Sequence, residues 1–104
     1  MKVSKLTGAA LDWAVAQCVG LIKGDDVDVG FILEGGYSPS TDWAQGGPLI
    51  ERERLDIEPW GLGWAASMNK RFVSFGPTPL IAAMRCYVLF TMNDTVEIPE
   101  ELKS

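Results

Sequence analysis

The stretch Phe75-Gly76-Pro77-Thr78-Pro79-Leu80-Ile81-Ala82-Ala83-Met84-Arg85-Cys86-Tyr87-Val88 constrains the fold of this chain more than any other. Thr78 is placed as an N-cap, able to accept a hydrogen bond from the first free amides of a helix. Pro79, directly after it, supplies a preset φ where its missing N–H is no loss. The pattern predicts a helix from Pro79 to about Asn93-Asp94. Between Leu80 and Met92 the only charged side chain is Arg85. Such a helix has no polar face to give to water, so the rest of the chain must pack around it.

A length of 104 residues suits one domain, 1–104, with enough material for a core that needs no disulfide or metal. The 47% hydrophobic and 22% charged residues lie in the ordinary globular range and argue against disorder. Nine Lys and Arg against fourteen Asp and Glu give a net charge of −5, which argues against a nucleic-acid partner. No apolar run approaches the roughly 20 residues a membrane span needs, and Met1-Lys2-Val3-Ser4-Lys5 lacks a signal peptide's apolar stretch, so the expected site is the cytoplasm. Cys18 and Cys86 sit among apolar neighbours and read as small buried hydrophobes.

Taken in order, Leu6-Thr7-Gly8-Ala9-Ala10-Leu11 opens a first helix over about 8–19, with Thr7 as N-cap, a Leu6/Leu11 staple and Gly20 as the left-handed residue beyond its end. Gly24-Asp25-Asp26 reads as a turn, and the alternation in Val27-Asp28-Val29-Gly30-Phe31-Ile32-Leu33 reads as a strand. Gly35 to Pro48 is rich in Gly, Pro, Ser and Asp and reads as one long loop. Tyr37 and Trp43 predict that it folds onto the body or a partner, with Ser40, Thr41 or Asp42 making a local cap. Leu49 to Ile57 alternates like an edge strand with paired charges. After a break at Pro59-Trp60-Gly61-Leu62-Gly63, the segments Trp64–Ser67 and Phe72–Phe75 read most simply as a hairpin about a four-residue connection, Met68 to Arg71, with a helical turn over Ala65 to Met68 as the alternative. Thr95 to Pro99 is extended, followed by an acidic tail. The expected class is α+β, a small and mainly antiparallel sheet of three or four strands packed with two helices.

The chain has no His, which rules out triads of the Ser-His-Asp or Cys-His kind and removes a frequent metal ligand. Its acids cluster at Asp25-Asp26-Asp28, Glu51-Glu53 and Glu97-Glu100-Glu101, runs expected on a solvated surface and without calcium-loop spacing. Neither an enzyme nor a resident cofactor or metal is expected. Gly35-Gly36 and Gly46-Gly47 match no phosphate-loop fingerprint and read as turn glycines. Arg85 has two readings: an internal partner of a carboxylate such as Asp12 or Glu51, or an anion clamp. Tyr37, Trp43, Trp60, Trp64, Arg52, Arg54, Arg71 and Arg85 together supply stacking surfaces and counter-charges for a nucleotide-like ligand.

Three blocks carry a resemblance. Leu6 to Ala16, Tyr37 to Ile50 and Gly76 to Arg85 resemble, in that order, the NinX-like family of small phage proteins. The resemblance implies an accessory protein of the host cytoplasm with no assigned activity or catalytic residues. By analogy with phage accessory proteins of this size, the expectation is a binding protein that sequesters a small nucleotide-derived ligand such as a host-defence signal, acting as a homo-oligomer. The candidate binding residues are Ser38, Ser40, Thr41, Asp42, Trp43, Gln45, Thr78 and Arg85. The alternative is an inhibitor or adaptor that docks on a host or phage protein.

Overall fold

The computed structural model describes residues 1–20 and 29–103. A 3₁₀ turn at Val3–Lys5 leads into helix α1, Gly8–Val19, then α2, Val29–Leu33, and α3, Trp43–Glu53. Strands β1 (Asp56–Trp60), β2 (Gly63–Met68) and β3 (Arg71–Gly76) follow, then helix α4 (Pro79–Met92) and a second 3₁₀ turn at Glu100–Leu102. The architecture is α+β. Its sheet has the order β1-β2-β3, antiparallel throughout, and among the described residues four α-helices rather than the expected two accompany it.

Helix α4 is the centre of the molecule, packed between the sheet and helices α1 and α3. Its start is built as the sequence predicts: Pro79 is its first residue, and the Thr78 hydroxyl accepts from the Ile81 amide at 3.1 Å. Ala82, Ala83, Met84, Cys86 and Val88 are all fully buried. Across from them, α1 buries Leu11, Ala14, Val15 and Ala16, and Gly20 caps it in the left-handed conformation with φ 78°. Leu6 and Leu11 are both inside, as the staple requires, while the Thr7 side chain makes no cap bond.

Four local expectations are overturned. Val29 to Leu33 forms a short helix instead of a strand; the rest of that segment and the Gly24-Asp25-Asp26 turn lie outside the described residues. The long loop ends at Asp42, whose carboxylate accepts from the Ala44 amide and starts α3 within the stretch read as loop. The expected strand from Leu49 to Ile57 is α3 as far as Glu53, and Arg54 then turns the chain through the left-handed region into β1. Alternating charges at 51–54 have the period of a strand, but the Asp42 cap and the packing of buried Leu49 against the core decide for a helix. The Pro59-Trp60 break is itself part of β1, an edge strand, where a proline is tolerated.

The hairpin forms with a shorter connection than expected. Met68 pairs with Arg71, leaving Asn69 and Lys70 as a two-residue turn with φ of 53° and 60°, the values of a type I′ turn. Lysine in this conformation is strained, because its Cβ crowds the following carbonyl. Replacing Lys70 with Gly is expected to stabilise the protein by about 0.5–1 kcal/mol, read as a Tm a few degrees higher in a thermal melt.

Cross-strand register sorts the sheet into two faces. Ile57, Ala66 and Ser74 share the side of α4, and Glu58, Ala65 and Phe75 share the other. On that outer face Trp60 leans on Phe75, ring centroids 5.8 Å apart. The segment after α4 returns to the start of the chain: Lys2 and Thr95 form an antiparallel bridge, and the Val3 amide donates to the Asp94 carbonyl at 2.8 Å.

Candidate functional site

The loop residues expected to line a pocket are largely occupied in holding the loop. Gln45 Oε1 accepts from the Ser38 amide at 2.6 Å, and the Ser38 carbonyl accepts from the amides of Thr41 and Asp42. Asp42 caps α3. The Ser40 amide donates to Asp12 Oδ1 at 2.9 Å across 28 residues of sequence, which pins the loop to α1. Four of the eight candidates, Ser40, Thr41, Trp43 and Thr78, do come together around a cavity of about 230 Å³ at the start of α4. That volume is below the range of ordinary small-molecule sites, roughly 300–1,000 Å³.

Asp12 is thereby explained, and not as the partner of Arg85. The residue is 5% exposed, and burial raises its pKa above the ordinary 3.8, partly offset by the hydrogen bonds from Ser40. A carboxyl raised in the folded state contributes stability that is present at low pH and lost as the pH rises through its folded value. Asp12→Asn keeps an oxygen for the Ser40 amide and removes the buried charge. The variant is therefore expected to match or exceed the wild type at pH 7, the difference shrinking as the pH falls to about 4. Urea denaturation across that range checks it.

Arg85 stands apart from the loop. Its Nε donates to the Leu6 carbonyl at 2.9 Å and its Nη1 to the Phe75 carbonyl at 2.7 Å, joining the start of α1 to the end of β3. No carboxylate among the described residues pairs with it, so neither Asp12 nor Glu51 plays the part expected of them. A guanidinium carries five N–H donors and stays charged in proteins. Two donors are used here, and the carbonyls fix the plane of the group without neutralising it. Burial draws its pKa below the usual guanidinium value, a sign that the charge lacks a carboxylate to offset its lost hydration.

This residue lines the largest described cavity, about 640 Å³, together with Lys2, Trp60, Trp64, Phe75 and Asp94. Arg85 and both tryptophans are among the stacking and charge partners expected from the sequence; Lys2, Phe75 and Asp94 are not. Trp60 is 60% exposed although it is among the largest apolar side chains in the chain. Arg85 and the N-terminal end of α4 thus belong to two separate cavities, and the loop around Trp43 does not close the larger one. The other candidate cations are otherwise engaged or exposed: Arg52 donates to the Tyr87 hydroxyl at 3.0 Å and to Glu53, and Arg54 ends α3.

Among the described residues no group of three or more His, Cys, Asp and Glu is placed to hold a metal ion, and no helix is long and apolar enough to cross a membrane. Both cysteine thiols are pushed up to about 11 by burial, far from a reactive thiolate. The large cavity offers stacking faces, two cations and one carboxylate, a set suited to holding a planar anionic molecule. No curated protein matches the chain. The family model described as Bacteriophage P22, NinX matches residues 2–91, and the chain belongs to that family of phage proteins, as its three sequence blocks lead one to expect.

Proposed function

We propose that the protein is a non-enzymatic phage accessory protein that binds and sequesters a small nucleotide-derived ligand, in the manner of a sponge for a host-defence signal, and that it acts in the host cytoplasm as a homo-oligomer. The observation that carries this reading is Arg85, a half-buried cation fixed by two carbonyls, without a carboxylate partner among the described residues, on the wall of a cavity that also has Trp60 and Phe75. A phosphate takes the free N–H groups, and a base lies against the aromatic wall. The cavity volume of about 640 Å³ falls within the range of small-molecule sites.

Trp60 is the better residue to remove, because Arg85 also ties the carbonyls of Leu6 and Phe75 and its loss would disturb the fold. Calorimetry against a panel of cyclic and linear nucleotides is expected to find a ligand. Trp60→Ala should weaken its binding by about 1–3 kcal/mol, roughly 5- to 150-fold, with the thermal melt little changed. Trp43→Ala should leave the affinity as it was. An absence of heat with every nucleotide refutes the reading.

One observation favours the alternative, an inhibitor or adaptor that docks on a protein. Leu62, at the tip of the β1–β2 turn beside Trp60, is 109% exposed, as fully as a side chain can be. An exposed Trp–Leu tip is the kind of anchor that fills a pocket on a partner. Capture of one defined protein, abolished by Leu62→Ser and with no nucleotide bound, would establish it.

A further inference from the structure

Asp94 lines the same cavity as Lys2 and Arg85, yet pairs with neither. Among the described residues its carboxylate meets only the Thr95 hydroxyl, which donates to Oδ1 at 3.3 Å. The residue is held from behind. It follows Asn93, which leaves α4 with φ 75° and ψ −169°, and its carbonyl accepts from the Val3 amide beside the Lys2–Thr95 bridge. The cavity therefore carries a fixed carboxylate residue and two cations with no carboxylate partner among the described residues.

A bare polyphosphate suits such a cavity poorly, since its charge is repelled by the carboxylate while the cations attract it. A molecule that is anionic at one end and offers hydrogen-bond donors at the other satisfies all three groups at once. On the nucleotide reading given above, we infer that Asp94 is the specificity-determining residue of the cavity. It accepts from a pair of donors on the nucleoside, either the vicinal ribose hydroxyls or the amino and ring N–H edge of a base, and so selects nucleotides over free phosphates.

The test uses calorimetry on the full chain with GTP, ATP, their 2′-deoxy and 3′-deoxy forms, ITP and inorganic tripolyphosphate. The wild type is expected to bind GTP or ATP at least tenfold more tightly than tripolyphosphate. Asp94→Asn, and Asp94→Ala as a second variant, should lose about 10- to 100-fold for the nucleotide and bind tripolyphosphate more tightly than the wild type does, with unchanged thermal melts. A loss confined to the deoxy forms assigns the donors to the ribose; a loss confined to ITP against GTP assigns them to the base. Wild-type affinity in both Asp94 variants overturns the inference while leaving the nucleotide reading intact, and so does equal affinity of the wild type for every nucleotide in the set. No binding of any of these compounds by the wild type overturns the inference, and the nucleotide reading falls with it when the cyclic nucleotides of the wider panel also give no heat.

Discussion

Gly46→Ala is expected to cost roughly 3 kcal/mol, about 12–24 °C in Tm for a domain of this size, whereas Gly47→Ala should raise the Tm by a few degrees. The two glycines are neighbours in α3 and look alike in sequence. A Cβ on Gly46 would stand 2.4 Å from the Pro39 carbonyl oxygen and 2.7 Å from Leu80 Cδ2. The first of these is backbone and cannot swing aside, so either the loop that ends at Asp42 or α3 itself must shift. A Cβ on Gly47 would meet only the Trp43 ring, at 3.8 Å. That is ordinary contact, and the alanine there gains about 0.5–1 kcal/mol of helix propensity over glycine. Thermal melts followed by circular dichroism check both, and changes of the same sign would show that the contact between α3 and the loop is misplaced.

Met84→Ala is expected to destabilise by about 2–5 kcal/mol, a large part of the total stability of a small domain. Met84 is fully buried in the helix that meets the sheet on one side and α1 and α3 on the other. Its removal leaves a cavity that no single neighbour can fill. The volume-conserving Met84→Leu should cost less than about 1.5 kcal/mol. Urea denaturation separates the two, with an unchanged slope expected for both. A mild effect of Met84→Ala would mean that α4 is not the central element of the core.

The two long apolar helices were legible because nearly every position in them agrees. Thr78-Pro79 starts α4 and Gly20 ends α1, and their residues are apolar on too many sides to lie on a surface. Helix α3 was hidden by the same residues that build it. Gly46 is small so that the Pro39 carbonyl can approach, yet Gly46-Gly47-Pro48 reads as loop, and Glu51-Arg52-Glu53-Arg54 has a two-residue period that imitates a strand. Helix α2 is five residues long, too short for a helical period to appear. At the site, the isolation of Arg85 was plain in the sequence, but its partners were not. They are backbone carbonyls 79 and 10 positions away, and a carbonyl leaves no mark on composition. Asp94 read only as the end of a helix, since its place beside Lys2 depends on the bridge between Lys2 and Thr95.

The assignment of ligand binding to the Arg85 cavity rather than to the start of α4 is tested most directly by a nuclear magnetic resonance titration with a nucleotide that gives heat in calorimetry. Trp60 and Trp43 have indole N–H groups on two different cavities, and Arg85 has an Nε–H of its own. The expected result is that the Trp60 indole and Arg85 Nε–H resonances move together, saturating at the calorimetric stoichiometry, while the Trp43 indole stays in place. Movement of the Trp43 indole and the Thr78 amide with Trp60 and Arg85 silent would contradict the assignment and return the site to the loop and the N-terminus of α4.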